Sequence, residues 1–306
     1  MEASQGIVLA PLEQKNKEAM EIPVFTVDAF TNQVFKGNPA AVCLLQNELQ
    51  DQVYQKIAAE MNLSETAFIS RLNVTDDFAT AARFRLRWFT PKNEVVLCGH
   101  GTIASAAVLF YHKKNHNAVL TFETLSGELH VKMDGDALVM DFPLNKPTMQ
   151  DPNEVKDLIK AAVGELPVQE VRYCRAISEL LICLSDSCDR AALMSLQPDP
   201  ASLLHAEPTG KVKSLMVTLK GDPVAQPAYD FFSRNFAPWQ GIPEDPVTGS
   251  SHTVLASYWS EKLGKQRMLA YQCSSRGGEL HLHIKDNNRV DIAGRAVTVL
   301  KGVLTL

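Results

Sequence analysis

The strongest constraint on this chain is that its second half echoes its first. Arg87-Trp-Phe-Thr-Pro91 leads into the glycine turn Cys98-Gly-His-Gly-Thr102. Arg234-Asn-Phe-Ala-Pro238 leads into a second turn, Glu244-Asp-Pro-Val-Thr-Gly-Ser250. The two arginines stand 147 residues apart in a chain of 306. Each turn is followed by a largely apolar stretch, Ile103–Tyr111 and Thr253–Leu263. A helix apolar on every side has to be buried, and Gly264 supplies a stop for the second. The pattern predicts a duplicated unit of strand, loop, glycine turn and buried helix.

The rest of the chain reads as alternating short elements. Strands are expected at Glu21–Phe30, Ala40–Leu45, Arg83–Phe89, Val119–Glu123, Glu128–Lys132, Leu138–Phe142, Leu180–Leu184, Val212–Leu219, Leu280–Ile284, Arg289–Ile292 and Val297–Leu304. Helices are expected over Asp51–Met61, ending near Asn62, and over Glu154–Val163. In Arg83–Phe89, Phe84, Leu86 and Trp88 alternate with Arg83, Arg85 and Arg87, so the arginines are expected on a solvated strand face. Pro143, Pro147 and Pro152 mark a boundary. Residues 1–20 read as a flexible leader, 21–142 as one half and 143–296 as the other. The last strand, within 297–306, is free to return to the first half.

Whole classes of function are excluded at this level. The net charge is −5, with no dense Lys/Arg block, so a nucleic-acid partner is not expected. No apolar run is long enough to span a membrane. The six cysteines include no C-x-x-C pair, and the N-terminus lacks the features of a secretory signal, so reduced thiols in the cytoplasm are expected. Neither G-x-G-x-x-G, the P-loop nor G-x-S-x-G is present. His281 and His283 share a strand face without an obvious third ligand, so no metal site is expected. Arg276, in Ser274–Gly278, is expected simply in a turn.

Chemistry gathers at the two glycine turns. Helix starts expose unpaired N–H groups and a partial positive charge. Two of them facing each other would cradle a carboxylate. Cys98 and His100 lie in one turn and Asp245 in the other, while Glu65 sits in Leu63-Ser-Glu-Thr-Ala67, a polar patch between apolar neighbours. A carboxylate held there could be desolvated toward a working pKa, but a lone loop glutamate is more often solvent-exposed. The residues alone do not select Glu65.

Five ordered motifs narrow the reading: Gly37-Asn-Pro-Ala-Ala-Val42, Asn62-Leu-Ser-Glu-Thr-Ala-Phe68, Arg87–Pro91, Cys98–Thr102 and Glu244–Ser250. Together they resemble the phenazine-biosynthesis isomerase (PhzF-like) family, vertebrate members included, over residues 21–306. The resemblance implies an α+β, diaminopimelate epimerase-like fold of two pseudo-symmetric halves, each a mixed curled sheet around a central helix, with the active site in the cleft between them. It implies a homodimer and no cofactor. It assigns the general acid/base to Glu65, with Asp245, His100 and Ser250 in the same cleft. Substrate-binding groups are implied at Ser64, Gly99, Gly101, Thr102, Thr248 and Gly249. Two-base racemases of this fold use a cysteine from each turn. Here Cys98 is present but the second turn has none, which favours a single carboxylate moving a proton between carbons of a small carboxylate-bearing substrate. Two alternatives stay open. One is an epimerase with Cys98 as second base, and the other is a non-catalytic scaffold binding other proteins.

Overall fold

In the computed structural model, residues 19–222, 224 and 227–306 are described. Most of the expected leader, residues 1–18, lies outside them. Met20 continues a strand ladder, exchanging backbone hydrogen bonds with Leu306 at 3.1 and 2.9 Å.

The first series of elements is β1 (Glu21–Ala29), β2 (Asn38–Leu45), α1 (Asp51–Met61), β3 (Glu65–Arg71), β4 (Arg83–Phe89), β5 (Glu94–Val95), α2 (Gly99–Ala107), β6 (Val119–Thr124), β7 (Gly127–Asp134) and β8 (Ala137–Pro143). The second is β9 (Thr148–Met149), α3 (Lys156–Val163), β10 (Val168–Cys174), β11 (Glu179–Leu184), α4 (Arg190–Ser195), α5 (Pro200–Ala206), β12 (Ser214–Lys220), β13 (Phe231–Ala237), β14 (Ile242–Asp245), α6 (Gly249–Leu263), β15 (Arg267–Gln272), β16 (Gly278–Lys285), β17 (Arg289–Gly294) and β18 (Ala296–Thr305).

The two series pair their strands in the same succession. In the first, β1–β2 is antiparallel, β2–β3 parallel, β3–β4 antiparallel, β4–β6 parallel, and β6–β7–β8 antiparallel. In the second, β10–β11, β11–β12, β12–β13, β13–β15 and β15–β16–β17 repeat that order of directions. β8 and β17 pair antiparallel and join the two sheets. β18 returns to β1, and β9 lies beside β10. The result is an α+β fold with a mixed sheet that stays open between β18 and β9.

The repeated motif has a structural cause. Arg87 in β4 forks onto Glu94 in β5 at 2.7 and 2.8 Å. Arg234 in β13 forks onto Glu244 in β14 at 2.7 and 2.8 Å. A guanidinium matches a carboxylate in two parallel bonds, so each arginine pins the short strand that delivers a glycine turn. Arg83 and Arg85 are ion-paired on the outer face to Glu123, Glu128 and Glu48, which leaves no free basic surface there.

Both apolar helices start earlier than their periodicity predicts, because each begins within its glycine turn. α2 is buried from Gly99 to Ala107 and runs into a π-helical turn over Val108–His112. α6 is capped at Gly264, φ 65°. Side chains of both helices join one core cluster with the inner faces of the strands. α1 covers a second cluster on the outside of the first series, and α3–α5 cover a third on the second. The short helices α4 and α5 fall between β11 and β12, where the sequence predicts no element. Asp189 and Asp199 cap them, and Pro200 occupies the first turn of α5. Strands β10 and β15 also escape the periodicity reading, since their burial mixes inward and half-buried positions. Among the described residues, no helix is long and apolar enough to cross a membrane.

Candidate active site

The starts of α2 and α6 meet. A Cβ on Gly99 would lie 3.2 Å from the Gly249 Cα, and one on Gly249 would lie 3.3 Å from the Gly99 Cα. A Cβ at either position would crowd the facing backbone, so glycine lets the helix ends approach this closely. Their free N–H groups and partial positive charge therefore converge on one place.

Beside this junction, β2, β3, α2 and β14 bring polar side chains together. Glu65 opens β3 rather than lying in a loop, and only 7% of its surface is exposed. His100 Nε2 is 3.0 Å from Glu65 Oε2. The contact is close but off-axis, so that buried oxygen accepts no aligned hydrogen bond. Ser64 Oγ lies 3.3 Å from the same Nε2. Asn38 donates to Asp245 Oδ1 at 2.7 Å and to the Val247 carbonyl at 2.9 Å. Its Oδ1 accepts from Ser64 Oγ at 3.2 Å. Asn38 thus stitches β2 to the second glycine turn. Cys98 caps α2, its sulfur accepting from Gly101 N–H at 3.2 Å and lying 3.5 Å from His100 Nδ1.

The electrostatics follow from burial opposed by contact. Burial disfavours the His100 imidazolium, but the Cys98 sulfur and the Glu65 carboxylate outweigh it and hold the histidine well above its ordinary value. Burial pushes the Cys98 thiol up against the pull of His100. Burial raises Asp245 to about 6, with His100 working to lower it and Glu65 to raise it.

Four residues escape sequence reasoning. Gln272, in β15, clasps the second turn: its amide donates to the Asp245 carbonyl at 2.7 Å and accepts from Thr248 N–H at 2.9 Å. Asn38 was legible only as part of a turn motif. The Trp88 indole N–H is buried without a partner among the described residues, beside Gly101, where a Cβ would lie 2.8 Å from the Trp88 ring. Glu179, at the start of β11, is the fourth. Burial lifts it from 4.5 to about 8, opposed by a hydrogen bond from Ser251 and aided by the charge of Asp245. Its Oε2 is likewise unpartnered among the described residues. The folded state holds this proton more tightly than the unfolded chain, so stability is lost as pH rises from about 4.5 to about 8. Melting temperatures of Glu179→Gln should therefore fall less between pH 5 and pH 9 than those of wild type. A constant offset between the two proteins would contradict this.

The remaining expected site residues are placed as follows. Thr248 stands at the N-cap position of α6, but its hydroxyl donates to Asp245 Oδ2 at 2.5 Å instead of capping the helix. Thr102 is fully buried, with its hydroxyl donating to the Cys98 carbonyl at 2.6 Å. Ser250, in the first turn of α6, is half-buried, and its hydroxyl bonds to no described residue. Its neighbour Ser251 is fully buried and accepts from Asn235 at 2.6 Å.

Glu65, Cys98 and His100 have donor atoms within 4.8 Å of one another. The thiol faces Nδ1 and the carboxylate faces Nε2, on different edges of the ring, so neither nitrogen has both as its nearest partner. Two helix N-termini also repel a cation. The trio does not fit a metal. His281 and His283 lie elsewhere, in an open groove of about 980 Å³ that none of the cluster residues line. Arg276 does more than occupy a turn, since it binds the Asp28 carboxylate at 2.7 Å.

Comparison with known proteins identifies the family. Residues 27–302 match the family described as phenazine biosynthesis-like protein. The human phenazine biosynthesis-like domain-containing protein is 56% identical over 287 residues, 94% of this chain and 100% of its own length. A protein of Halalkalibacterium halodurans named as an uncharacterised isomerase is 42% identical over 292 residues, again 94% of this chain and all of its own. A crystal structure of a PhzF-family protein from Enterococcus faecalis superposes with a TM-score of 0.82 at 37% identity, covering 94% of this chain and 100% of that one. The chain belongs to the phenazine biosynthesis-like, or PhzF, family.

Proposed function

We propose that the protein is an isomerase that moves a proton between carbons of a small carboxylate-bearing substrate, with no cofactor. The observation that carries this reading is a buried glutamate with one unsatisfied oxygen, facing a histidine beside two convergent helix N-termini. The isomerase-type names of bacterial relatives support the reaction class.

The Glu65 carboxylate takes a proton from a carbon made acidic by the substrate's carboxylate. The C–H electrons delocalise toward that carboxylate, where helix-end N–H groups stabilise the developing charge. The protonated Glu65 then returns its proton to a different carbon. His100 holds Glu65 in place, and Asp245, steadied by Asn38 and Thr248, provides a second polar wall. Thr248 occupies the position in α6 that Cys98 occupies in α2, so a second thiol base is missing from the pseudo-symmetric site.

The assembly is proposed to be a homodimer in the cytoplasm, where six free thiols, five of them buried, stay reduced. The test is an exchange screen: a pool of small carboxylates in D₂O, wild type against Glu65→Gln, with carbon-bound deuterium read by mass spectrometry. Deuterium incorporated into a compound by wild type alone supports the reading. Equal incorporation by both proteins overturns it.

A further inference from the structure

The hydrogen-bond pattern around His100 assigns each ring nitrogen a different job. Nε2 faces only oxygens, Glu65 Oε2 at 3.0 Å and Ser64 Oγ at 3.3 Å. The single Ser64 proton has carbonyl oxygens to serve, Pro39 O at 3.1 Å and Asn38 Oδ1 at 3.2 Å. Nε2 must therefore carry a hydrogen.

Nδ1 faces the Asn38 amide nitrogen at 3.2 Å and Cys98 Sγ at 3.5 Å. Both Asn38 hydrogens are committed to the shorter contacts with Asp245 and Val247. The amide cannot be flipped, because its oxygen would then face those two acceptors. Cys98 is the remaining partner for Nδ1.

We propose that Cys98 is a positioning residue for His100, sharing the Nδ1 proton so that Nδ1 alone titrates and Nε2 keeps its hydrogen beside Glu65. In one state the thiol donates S–H to Nδ1. In the other the proton has moved from Sγ to Nδ1, leaving a thiolate and an imidazolium, with Gly101 N–H still donating to the sulfur at 3.2 Å. The transfer itself exchanges no proton with solvent; the pair titrates when it takes up one more, giving thiol and imidazolium. Nε2 keeps its hydrogen in both states, 3.0 Å from Glu65 Oε2 though off the axis of a hydrogen bond, so His100 cannot drain the proton that Glu65 takes from a substrate. Gly101 serves the same device, since a Cβ there would lie 3.0 Å from Sγ. The charged groups facing His100 are Cys98 on its own helix, Glu65 on β3 and Asp245 on β14, and Glu179 on β11 reaches it only through Asp245.

As a catalytic device this rests on the role given to Glu65, but the test needs no substrate. The full chain is labelled with [¹⁵N]histidine, and His100 is identified by its absence in His100→Gln. Two-bond nitrogen–proton spectra are followed from pH 5 to pH 10 in wild type, Cys98→Ser and Cys98→Ala. The expected result is that Nε2 stays protonated throughout while Nδ1 changes. Cys98→Ala should lower the His100 midpoint by about one pH unit, and Cys98→Ser should recover part of that shift. A titrating Nε2, a neutral Nδ1–H tautomer in wild type, or identical behaviour of wild type and Cys98→Ala overturns the proposal. If Cys98→Ala does not fold, the wild-type tautomer and the Cys98→Ser midpoint decide. Failure of Glu65→Gln to lose exchange would overturn the catalytic reading and leave this result standing.

Discussion

Glu65→Gln is expected to lower substrate proton exchange by about 10²–10⁴, the usual worth of a positioned general acid/base. The substitution keeps the shape of the side chain and removes only its ability to hold and return a proton. Glu65 opens β3 in register with Ala40, so the backbone ladder that places it is untouched. Gln can still place its amide oxygen beside His100 Nε2. The fold, the junction of Gly99 with Gly249, and binding of a carboxylate ligand should therefore survive. Calorimetry with any compound that exchanges in wild type would show binding without turnover. Exchange at the wild-type rate would remove Glu65 from the mechanism. Loss of binding together with exchange would mean that Glu65 holds the substrate instead of reacting with it.

Arg276→Met should destabilise the protein by about 3 kcal/mol, the lower end of the cost of breaking a buried ion pair. Asp28 is 1% exposed. Its two oxygens are served by Phe35 N–H at 2.7 Å and by Arg276 at 2.7 Å. Arg276 also donates to the Gly37 carbonyl at 2.8 Å and the Lys36 carbonyl at 2.9 Å. It ties the turn between β15 and β16 to the loop between β1 and β2. Methionine fills the same space but leaves a buried carboxylate with one partner. Burial already pushes the Asp28 carboxyl up, and losing the guanidinium leaves that push less opposed. Urea denaturation measures the loss, and Asp28→Asn in the Arg276→Met background should recover part of it by deleting the stranded charge. A loss under about 1 kcal/mol would show the pair to be dispensable. Because Gly37 precedes Asn38, a folded Arg276→Met protein should also exchange more slowly, through displacement of the hub that holds Asp245.

Local pattern made much of the architecture legible. Alternation in Arg83–Phe89 marked a strand with Phe84, Leu86 and Trp88 inward, and all three are buried. The stops near Asn62 and at Gly264 are both left-handed caps. The helix starts were less legible, because Gly99 and Gly249 are poor helix formers, and they are held in helix by packing against each other across the molecule. The helices α4 and α5, six and seven residues long, are too short for a periodic face to announce them, although Asp199-Pro200 is a helix-start signal.

The sequence by itself determined the duplicated unit, the two buried helices and, through ordered motifs, the family. These properties live in residues close together in the chain, where spacing of apolar side chains states which face is buried. The site is a different kind of property. Asn38 and Asp245 are 207 residues apart and share a hydrogen bond of 2.7 Å. Glu65 looks like an ordinary loop carboxylate until β3, α2 and β14 close around it. Burial, the off-axis contact with His100 and the pairing of Cys98 with Nδ1 arise only when strand pairing and the meeting of two glycines bring distant segments within reach. No local spacing encodes that, because electric field and solvent exclusion at a side chain depend on everything packed around it.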